Sequence, residues 1–394
     1  MDGRERVSRR RFVGGLATTV GYLSLRPDME LWAQGASPRA QAAAAQAQDP
    51  QAEYDAFAKL ANNENPWGPP ESVQKAMMGA IKYGNRYGYP DGGIVQAIAD
   101  HHGVKPQNVM ITAGSGEMLT VVGLTYLQGG KKVVGVDPTY NSVYAHATNI
   151  KADVIRIPLN EDFSQNIPAM IRATKRHYRD VGFVYLVNPN NPTGVVVPNR
   201  DVKALLDGIP EDIPVLLDEA YHHFVEDPSY ATGTPYVIEG RKVILCRTFS
   251  KISGLAGWRL GYAIAPTEII QQMRPYSTGT INAMVKWGGV AALKDTAAQE
   301  RVKRMTIDLR KKAVADLQTL GYESIRSDCN FFMVNIRRPV QPVIEEFRKK
   351  GVLVGRPFPP MTQHLRVSVG TEDEMRRFAA AFREVFAVRT TSGG

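Results

Sequence analysis

The strongest constraint on the fold is a set of short apolar runs, each ending abruptly in polar or glycine-containing residues. They are Val109 to Thr112, Lys132 to Val136, Phe183 to Val187, Val215 to Leu217 and Val243 to Cys246. Runs that are apolar on both faces and separated by helical patterns are typical of parallel strands buried between layers of helices. We therefore predict an α/β fold in which a mostly parallel sheet is covered by helices.

The polar segments that follow these runs indicate where a ligand binds. In sheets of this kind, ligands occupy the edge beyond the carboxyl ends of the strands. The segments predicted to meet there are Gly114 to Glu117, Asp137 to Tyr140, Asn188 to Gly194, Asp218 to Tyr221 and Thr248 to Lys251. Most of the candidate chemistry is thus expected at one edge of the sheet.

The C-terminal third has a different pattern. Apolar residues recur three and four positions apart between Val302 and Leu320 and between Met375 and Phe386, which predicts two amphipathic helices. Phe331 to Val334 and Leu365 to Val369 are predicted strands. The predicted domains are a large domain over residues 85–290, a smaller α+β domain over 291–394, and an N-terminal segment, 53–84, that joins the small domain.

The first residues have the character of a targeting segment. Ser8 to Val13 reads SRRRFV and overlaps the weakly apolar run Phe12 to Leu25, an arrangement that resembles a twin-arginine export signal. Residues 1–35 are therefore predicted to be a signal peptide read by the twin-arginine export machinery, and the Ala- and Gln-rich residues 36–52 a linker. The protein is then periplasmic or otherwise exported. The alternative is a basic start that targets nothing, which leaves the protein cytoplasmic.

Charge and hydropathy argue against two kinds of partner. The formal net charge is +9, but Lys and Arg are scattered rather than gathered into a stripe, so we predict no nucleic-acid binding. The apolar run near the N-terminus is shorter than the roughly 20 residues that cross a bilayer, so we predict no stable membrane insertion.

One lysine stands in an unusual setting. Thr248 to Gly261 reads TFSKISGLAGWRLG and surrounds Lys251 with small uncharged residues. Desolvation lowers the pKa of an ammonium group toward the neutral nucleophile, which forms a Schiff base with a carbonyl. Lys251 is therefore a candidate catalytic group.

Lys251 and the motifs that accompany it in the sequence resemble those of a known family. Taken with Arg259 and the motifs Asp218-Glu219-Ala220-Tyr221 and Asn188-Pro189-Asn190-Asn191-Pro192-Thr193-Gly194, it is similar to a fold-type I pyridoxal-phosphate aminotransferase of class I/II. Within that group the chain most resembles the histidinol-phosphate aminotransferase family, from about Lys59 to Phe386. The resemblance implies a mostly parallel large domain, a small α+β domain and the cofactor pyridoxal 5′-phosphate.

The resemblance also implies roles for the central residues. Lys251 would hold the cofactor aldehyde and then move the proton, while Asp218 would pair with the pyridine nitrogen. Asn191 and Tyr221 would hydrogen-bond the 3′-oxygen of the ring. Each has a structural alternative: a helix N-cap for Asp218, a plain turn for Asn191 and a core aromatic for Tyr221.

The cofactor's phosphate requires an anion site. Ser115, Gly116 and Glu117 open a predicted helix whose N–H groups suit a phosphate, and Ser250 and Arg259 would complete the cradle. The resemblance places Tyr140 on the pyridine face. It also implies an obligate homodimer in which Tyr89, or else Tyr87, reaches the phosphate site of the other subunit.

Substrate contacts follow from the same resemblance. Arg366 would pair with a substrate carboxylate or phosphate, Arg356 is a second anion contact, and Asn65 lies in a segment that folds over the site. We predict no metal. His222 and His223 are interpreted as structural. Cys246 is expected to be a buried thiol, although a disulfide with Cys329 stays open.

The predicted activity is transfer of an amino group between an amino acid, or a histidinol-phosphate-like amine, and a 2-oxo acid through Lys251. Export argues against histidinol phosphate itself, because histidine biosynthesis belongs in the cytoplasm. The same scaffold also supports a pyridoxal-phosphate oxidase, deaminase or decarboxylase, which needs no oxo acid. A non-catalytic binder of amines or anions is the remaining alternative.

Overall fold

The computed structural model describes residues 50–387, so the predicted signal peptide and most of the predicted linker lie outside the described residues. Phe57 onward forms one compact unit. The described part of the preceding unit is a single helix, which begins at Pro50, three residues before the predicted start of folded structure. Proline suits the first turn of a helix because its missing N–H has no intrahelical partner there. Within residues 50–387 no helix is both long and apolar enough to cross a bilayer.

The regular elements are numbered in chain order. The helices are α1 (Pro50–Ala56), α2 (Glu71–Gly79), α3 (Ile94–His102), α4 (Ser115–Tyr126), α5 (Ser142–Asn149), α6 (Ile167–Arg176), α7 (Asn199–Gly208), α8 (Thr234–Ile238), α9 (Thr267–Met273), α10 (Ala283–Lys294), α11 (Thr296–Thr319), α12 (Val340–Lys349) and α13 (Glu372–Val385). The strands are β1 (Ala58–Leu60), β2 (Val109–Thr112), β3 (Lys132–Asp137), β4 (Asp153–Pro158), β5 (Val181–Val187), β6 (Val215–Asp218), β7 (Val243–Thr248), β8 (Gly261–Ile264), β9 (Ser324–Ile325), β10 (Phe331–Asn335), β11 (Val352–Val354) and β12 (His364–Ser368).

The central sheet has seven strands in the order β2-β8-β7-β6-β5-β3-β4. All five predicted apolar runs are strands of this sheet. The pairs β3–β4, β3–β5, β5–β6 and β6–β7 are parallel, whereas β8 is antiparallel to both β2 and β7. The prediction of a mostly parallel sheet is confirmed.

Helices cover both faces of this sheet. Alternate strand residues point to opposite faces, and the alternation divides the core into two apolar clusters. Val184 and Leu186 pack with residues of α2, α3, α6, α7 and α10 on one face. Phe183 and Tyr185 pack with α4, α5 and α9 on the other. The α/β class is therefore confirmed as a sheet between two helical layers.

A third apolar cluster organises the C-terminal elements. The antiparallel sheet β12-β10-β9 and the parallel pair β1–β11 pack with α11, α12 and α13. Both amphipathic helices predicted here are present as α11 and α13. Thr371 and Glu374 form a reciprocal capping box that starts α13, an arrangement that satisfies otherwise unpaired N–H groups.

The segment before α3 contributes to two parts of the fold. Its first part joins the C-terminal elements, and its second part packs on the central sheet. Ala58–Leu60 pairs with Val352–Val354. Val73 and Met77 of α2 instead join the apolar cluster of the central sheet. Residues between β1 and α2 therefore cross from one sheet to the other, and their backbone passes over the edge where the predicted catalytic segments end.

Both cysteines are free, buried thiols. Cys246 lies on strand β7 of the central sheet, in the apolar cluster that contains Phe183, whereas Cys329 packs with Tyr221, Phe224 and Phe331 in a different cluster. Burial raises the pKa of each thiol. The disulfide left open by the sequence is therefore not formed in this structure.

Candidate active site

The carboxyl ends of the central strands deliver the predicted residues to one cavity of about 680 Å³. Tyr140 follows β3, Asn191 follows β5, Asp218 ends β6 and Lys251 follows β7. Because β8 runs the opposite way, its amino end lies at the same edge and brings Arg259 there. The cavity lining includes Ser115, Gly116, Tyr140, Asn191, Asp218, Tyr221, Ser250, Lys251, Arg259, Arg356 and Arg366.

Lys251 is half-buried and lies at the floor of this cavity. Its Nζ donates a hydrogen bond to the Asn62 carbonyl at 3.3 Å and lies 5.6 Å from the centre of the Tyr221 ring. Burial, together with the positive charges of Arg366 and Arg259, lowers the pKa of Lys251 to about 8. An ammonium group held this way loses its proton readily, so the amine is available as a nucleophile or proton carrier near neutral pH.

The crowding around Lys251 comes from a close backbone approach. Gly254 has φ of +67°, and a Cβ there would lie 2.4 Å from the Gly68 carbonyl carbon. Only glycine fits this left-handed turn without displacing the backbone it touches. The small residues after Lys251 therefore let the loop pack beneath residues 61–68.

Asp218 is a buried carboxylate at the same edge, with an exposed fraction of 3%. Oδ1 accepts from the Ala220 N–H at 3.1 Å, and Oδ2 accepts from the Tyr185 hydroxyl at 3.4 Å. Burial raises the pKa of Asp218 to about 6. Its bond to Ala220 caps no α-helix, because only the short turn His222–Phe224 follows.

Tyr221, Asn191 and Arg366 form a buried network beside the cavity. Asn191 Nδ2 donates to the Tyr221 hydroxyl at 3.3 Å, and Arg366 Nη1 donates to Asn191 Oδ1 at 2.7 Å. Burial raises the pKa of Tyr221. The Tyr221 ring packs edge-on against Phe331 at 5.1 Å, so this residue is a core aromatic whose polar end also lines the cavity.

An anion cradle lies across the cavity from this network. Helix α4 begins at Ser115, and no side chain caps its first turn at Gly114. Ser250 Oγ accepts from Thr248 Oγ1 at 2.8 Å, and Arg259 Nη1 donates to the Ala256 carbonyl at 2.8 Å. A Cβ at Gly114, whose φ is +83°, would lie 2.1 Å from Arg259 Nη2. Glycine there lets the guanidinium reach the helix N-terminus, where N–H groups and positive charge together suit a phosphate.

Arg366 and Arg356 provide two cations at another part of the cavity wall. Arg366 is 7% exposed, its Nη2 donates to the Ala61 carbonyl at 2.6 Å, and its buried Nε has no partner. Both guanidinium groups lie over the Phe358 ring, at 4.6 Å for Arg366 and 4.3 Å for Arg356. Burial lowers the pKa of Arg366 to about 10. A buried cation with a free donor is an anchor for an anionic group.

Glu117 and Asn65 do not line the cavity, and Tyr89, predicted for the site of the other subunit, is bonded within its own chain. The Glu117 carboxylate is occupied by Ala113 N–H at 2.7 Å and by Ser277 and Thr278 at 3.0 Å. Asn65 donates to the Ile252 carbonyl and accepts from the Trp67 N–H, both at 3.0 Å. The Tyr89 hydroxyl donates to the Ile281 carbonyl at 2.7 Å, and Tyr87 is fully exposed.

Other lining residues were not predicted. Asn62, Asn63 and Glu64 line the cavity from the segment before Asn65, and Phe358 lines it from a loop. Asn63 makes the most hydrogen bonds among these residues. The sequence pattern had pointed only to Asn65 in this segment. The signal that marks it is conformational, since Asn63 adopts φ of +55°, which asparagine tolerates better than most residues.

Comparison with known proteins identifies the family. Residues 56–382 match the family described as Aminotransferase class I and II. The chain belongs to that family. The histidinol-phosphate aminotransferase of Moorella thermoacetica is 35% identical, covering 84% of this chain and 85% of the relative. That of Symbiobacterium thermophilum is 32% identical, covering 82% and 89%.

The fold has matching solved structures as well. The histidinol-phosphate aminotransferase from Sinorhizobium meliloti, solved in complex with pyridoxal-5′-phosphate, superimposes with a TM-score of 0.79 at 24% identity, covering 89% of this chain and 98% of that one. This likeness confirms the fold-type I architecture predicted from the sequence.

The aminotransferase is thus a transaminase that depends on pyridoxal phosphate. Its cavity fits the cofactor at both ends. Lys251 supplies an amine with a lowered pKa, and Asp218 supplies a buried carboxylate with no salt bridge within residues 50–387. The uncapped start of α4, with Arg259 packed on Gly114, supplies an anion site. The described residues contain no cluster that could hold a metal ion.

The lowered pKa of Lys251 predicts how cofactor capture depends on pH. Because only the neutral amine attacks an aldehyde, the rate at which cofactor-free protein captures pyridoxal phosphate should rise through pH 8, the pKa of Lys251. Arg366→Gln removes a positive charge that lowers this pKa and should move the midpoint up by about 0.5 pH unit. Stopped-flow absorbance measures the rate. Arg200→Gln, a change at an exposed arginine, should leave the midpoint in place, and equal shifts in both variants would contradict the assignment.

Proposed function

We propose that the transaminase moves an amino group between an amino acid, or a related amine, and a 2-oxo acid with Lys251 as the proton carrier. The observation that carries the proposal is the convergence of Lys251, Asp218, Asn191 and Tyr221 on one cavity. Bound pyridoxal phosphate supplies the aldehyde and an electron-accepting ring. Lys251 Nζ would take the proton from the substrate Cα and hold it for return on the other side of the amine nitrogen.

The other residues of the cavity hold and orient the cofactor. Asp218, buried and lacking an ion-pair partner within residues 50–387, supplies a negative charge for the ring nitrogen. Ser115, Gly116, Ser250 and Arg259 would bind the phosphate, and Tyr140 would cover the ring face. Tyr140 is 38% exposed, as a group that closes over an open cavity would be.

We propose that the substrate is anionic at the end remote from the reacting carbon or at its carboxylate, because Arg366 and Arg356 flank that part of the wall. Arg366 has a free buried Nε to offer. The relatives named as histidinol-phosphate aminotransferases support a phosphate-bearing amine as one candidate. An amino acid carboxylate uses the same guanidinium geometry.

The test is a donor panel with product analysis. Purified protein loaded with pyridoxal phosphate is given amino acids and histidinol phosphate, with and without 2-oxoglutarate. We expect a donor to change the visible absorption band, the oxo acid to restore it, and the two coproducts to form in equal amounts. Turnover that needs no oxo acid would favour the oxidase, deaminase or decarboxylase alternative. The proposal would be overturned if the wild-type protein with pyridoxal phosphate showed no visible absorption band that depends on Lys251.

We also propose that the protein is exported through the twin-arginine route. The support is the SRRRFV segment at Ser8 to Val13 and the weakly apolar run after it. Cell fractionation of a variant with Arg9 and Arg10 both changed to Lys tests this. Retention of that variant inside cells that export the wild type is the expected result.

We propose, finally, a homodimer with a shared site. Its support is the segment Asn85 to Gly92 and the set of exposed apolar side chains nearby in sequence, which include Met78, Ile81 and Tyr87. Exposed apolar residues of this size are costly unless a partner covers them. The molar mass in solution tests the dimer, and a Tyr89→Phe variant with weaker cofactor affinity would support a role at the partner's site.

A further inference from the structure

Asn63 is a buried residue of the segment Asn63-Glu64-Asn65-Pro66, in which the resemblance gives a site role only to Asn65. It is 1% exposed and takes the left-handed backbone conformation, with φ of +55°. Left-handed backbone is unfavourable for most side chains other than glycine, and asparagine is among the few that tolerate it. The segment thus holds a strained turn that aims one carboxamide at the cavity.

The orientation of that carboxamide is fixed by Ser368. The Asn63 backbone N–H donates to Ser368 Oγ at 2.8 Å, and the Ser368 hydroxyl donates to Asn63 Oδ1 at 2.9 Å. Because a backbone N–H is always a donor, the serine hydrogen is left to bond Oδ1. Nδ2 must then be the group that faces Tyr221, to whose hydroxyl it donates at 3.0 Å.

A second amide is oriented by the same logic from the other side. Arg366 is a donor only, and its Nη1 bonds Asn191 Oδ1. Asn191 Nδ2 therefore donates to the Tyr221 hydroxyl, at 3.3 Å. The Tyr221 oxygen accepts two N–H groups, which fills its acceptor capacity.

We propose that Asn63 is a positioning residue that aims the Tyr221 hydroxyl hydrogen into the cavity, toward an oxygen of the bound cofactor. With its oxygen occupied by two donors, Tyr221 can only donate elsewhere, and the open direction is the cavity that it lines. Asn63 supplies the shorter of these two bonds, at 3.0 Å against 3.3 Å from Asn191. The inference rests on the proposed function for the cofactor's place in the cavity.

The test uses a spectroscopic midpoint rather than turnover. Donation from Tyr221 stabilises the ionised 3′-oxygen of the cofactor, so losing it should raise the pH midpoint of the visible absorption band. Asn63→Gly keeps the left-handed backbone but removes the donor, and we expect the midpoint to rise by about 0.5 pH unit. Asn63→Asp reverses the bond, since the carboxylate accepts from Tyr221, and we expect a rise of about 1 pH unit. Dissociation constants for pyridoxal phosphate should rise in the same order.

A double-mutant cycle separates orientation from charge. In a Tyr221→Phe background, Asn63→Gly should cause no further shift, because there is no hydroxyl left to orient. Any residual shift of Asn63→Asp in that background measures the added negative charge alone. Should the Asn63 variants fail to fold, Ser368→Ala frees the carboxamide to rotate and should give a smaller shift of the same sign.

The outcomes are distinguishable. A normal midpoint in Asn63→Gly and Asn63→Asp, in protein that binds the cofactor through Lys251, overturns the positioning role alone. Shifts that persist fully in the Tyr221→Phe background overturn it as well, because they do not act through the hydroxyl. Absence of any lysine-dependent band in the wild type overturns the proposed function instead.

Discussion

Replacing Lys251 by alanine should reduce kcat/KM for amino transfer by about 10⁴-fold, the upper end of the range for a proton-transfer group. The reason is positional, because no other amine lines the cavity among the residues that the structure describes. The variant should also lack the lysine-dependent visible band. Steady-state kinetics with the best donor of the panel, together with absorbance, measures both effects.

Two further variants show why the Lys251→Ala variant loses activity. Lys251→Arg keeps the positive charge but cannot release its proton at these pH values, so it should be as inactive as the alanine variant. Lys203→Ala removes a lysine that is exposed and paired with Asp207 outside the cavity, and it should retain wild-type rates. Substantial turnover by Lys251→Arg would show that charge, not proton transfer, is what the position contributes.

The second large effect is on stability and concerns the residue next to Asp218. Glu219 is fully buried and pairs with buried Arg247, at 2.6 Å from Nη2 and 3.1 Å from Nε. Its other oxygen accepts from the Gly233 N–H at 2.7 Å. Glu219→Gln leaves the guanidinium buried without a negative partner, which should lower the free energy of unfolding by about 3–5 kcal/mol.

Urea unfolding followed by circular dichroism measures this loss. Asp207→Asn is the matched control: it breaks exposed ion pairs with Lys203 and Arg241 and should unfold close to the wild type, because water screens those charges. Changing Glu219 and Arg247 together to Gln should recover part of the stability, since no unpaired charge remains. Equal unfolding midpoints for Glu219→Gln and Asp207→Asn would contradict the account.

Sequence pattern predicted five of the seven strands of the central sheet and missed β4 and β8. Asp153–Pro158, the edge strand β4, buries only Ile157 among its six residues, so it has no apolar run to recognise. Gly261–Ile264 is fully buried yet was also missed. Its antiparallel direction depends on β2 and β7, which local pattern does not report.

The site was predicted where motifs are local and missed where contacts are distant. Asp218, Lys251 and Asn191 follow their strands directly, so the topology alone brings them together. Asn63 bonds Tyr221 across 158 positions of sequence, and no periodicity predicts such a contact. The roles predicted for Glu117 and Asn65 came from motif position alone, and each side chain is hydrogen-bonded to residues distant in the sequence, Ser277 and Thr278 for Glu117 and Ile252 for Asn65.

The route of residues 58–68 has a consequence for when the site comes into being. Asn63 and Ser368, which hold Tyr221 in place, lie 305 positions apart. Contacts of such long separation close late, because the entropy of a large loop must be overcome first. A chain still emerging from the ribosome can contain Lys251 and Asp218 yet lack the strand that completes their surroundings. The cofactor site is therefore completed only when β12, the final strand along the described chain, has been synthesised and has joined the fold. Binding of pyridoxal phosphate is then expected only after β12 is in place.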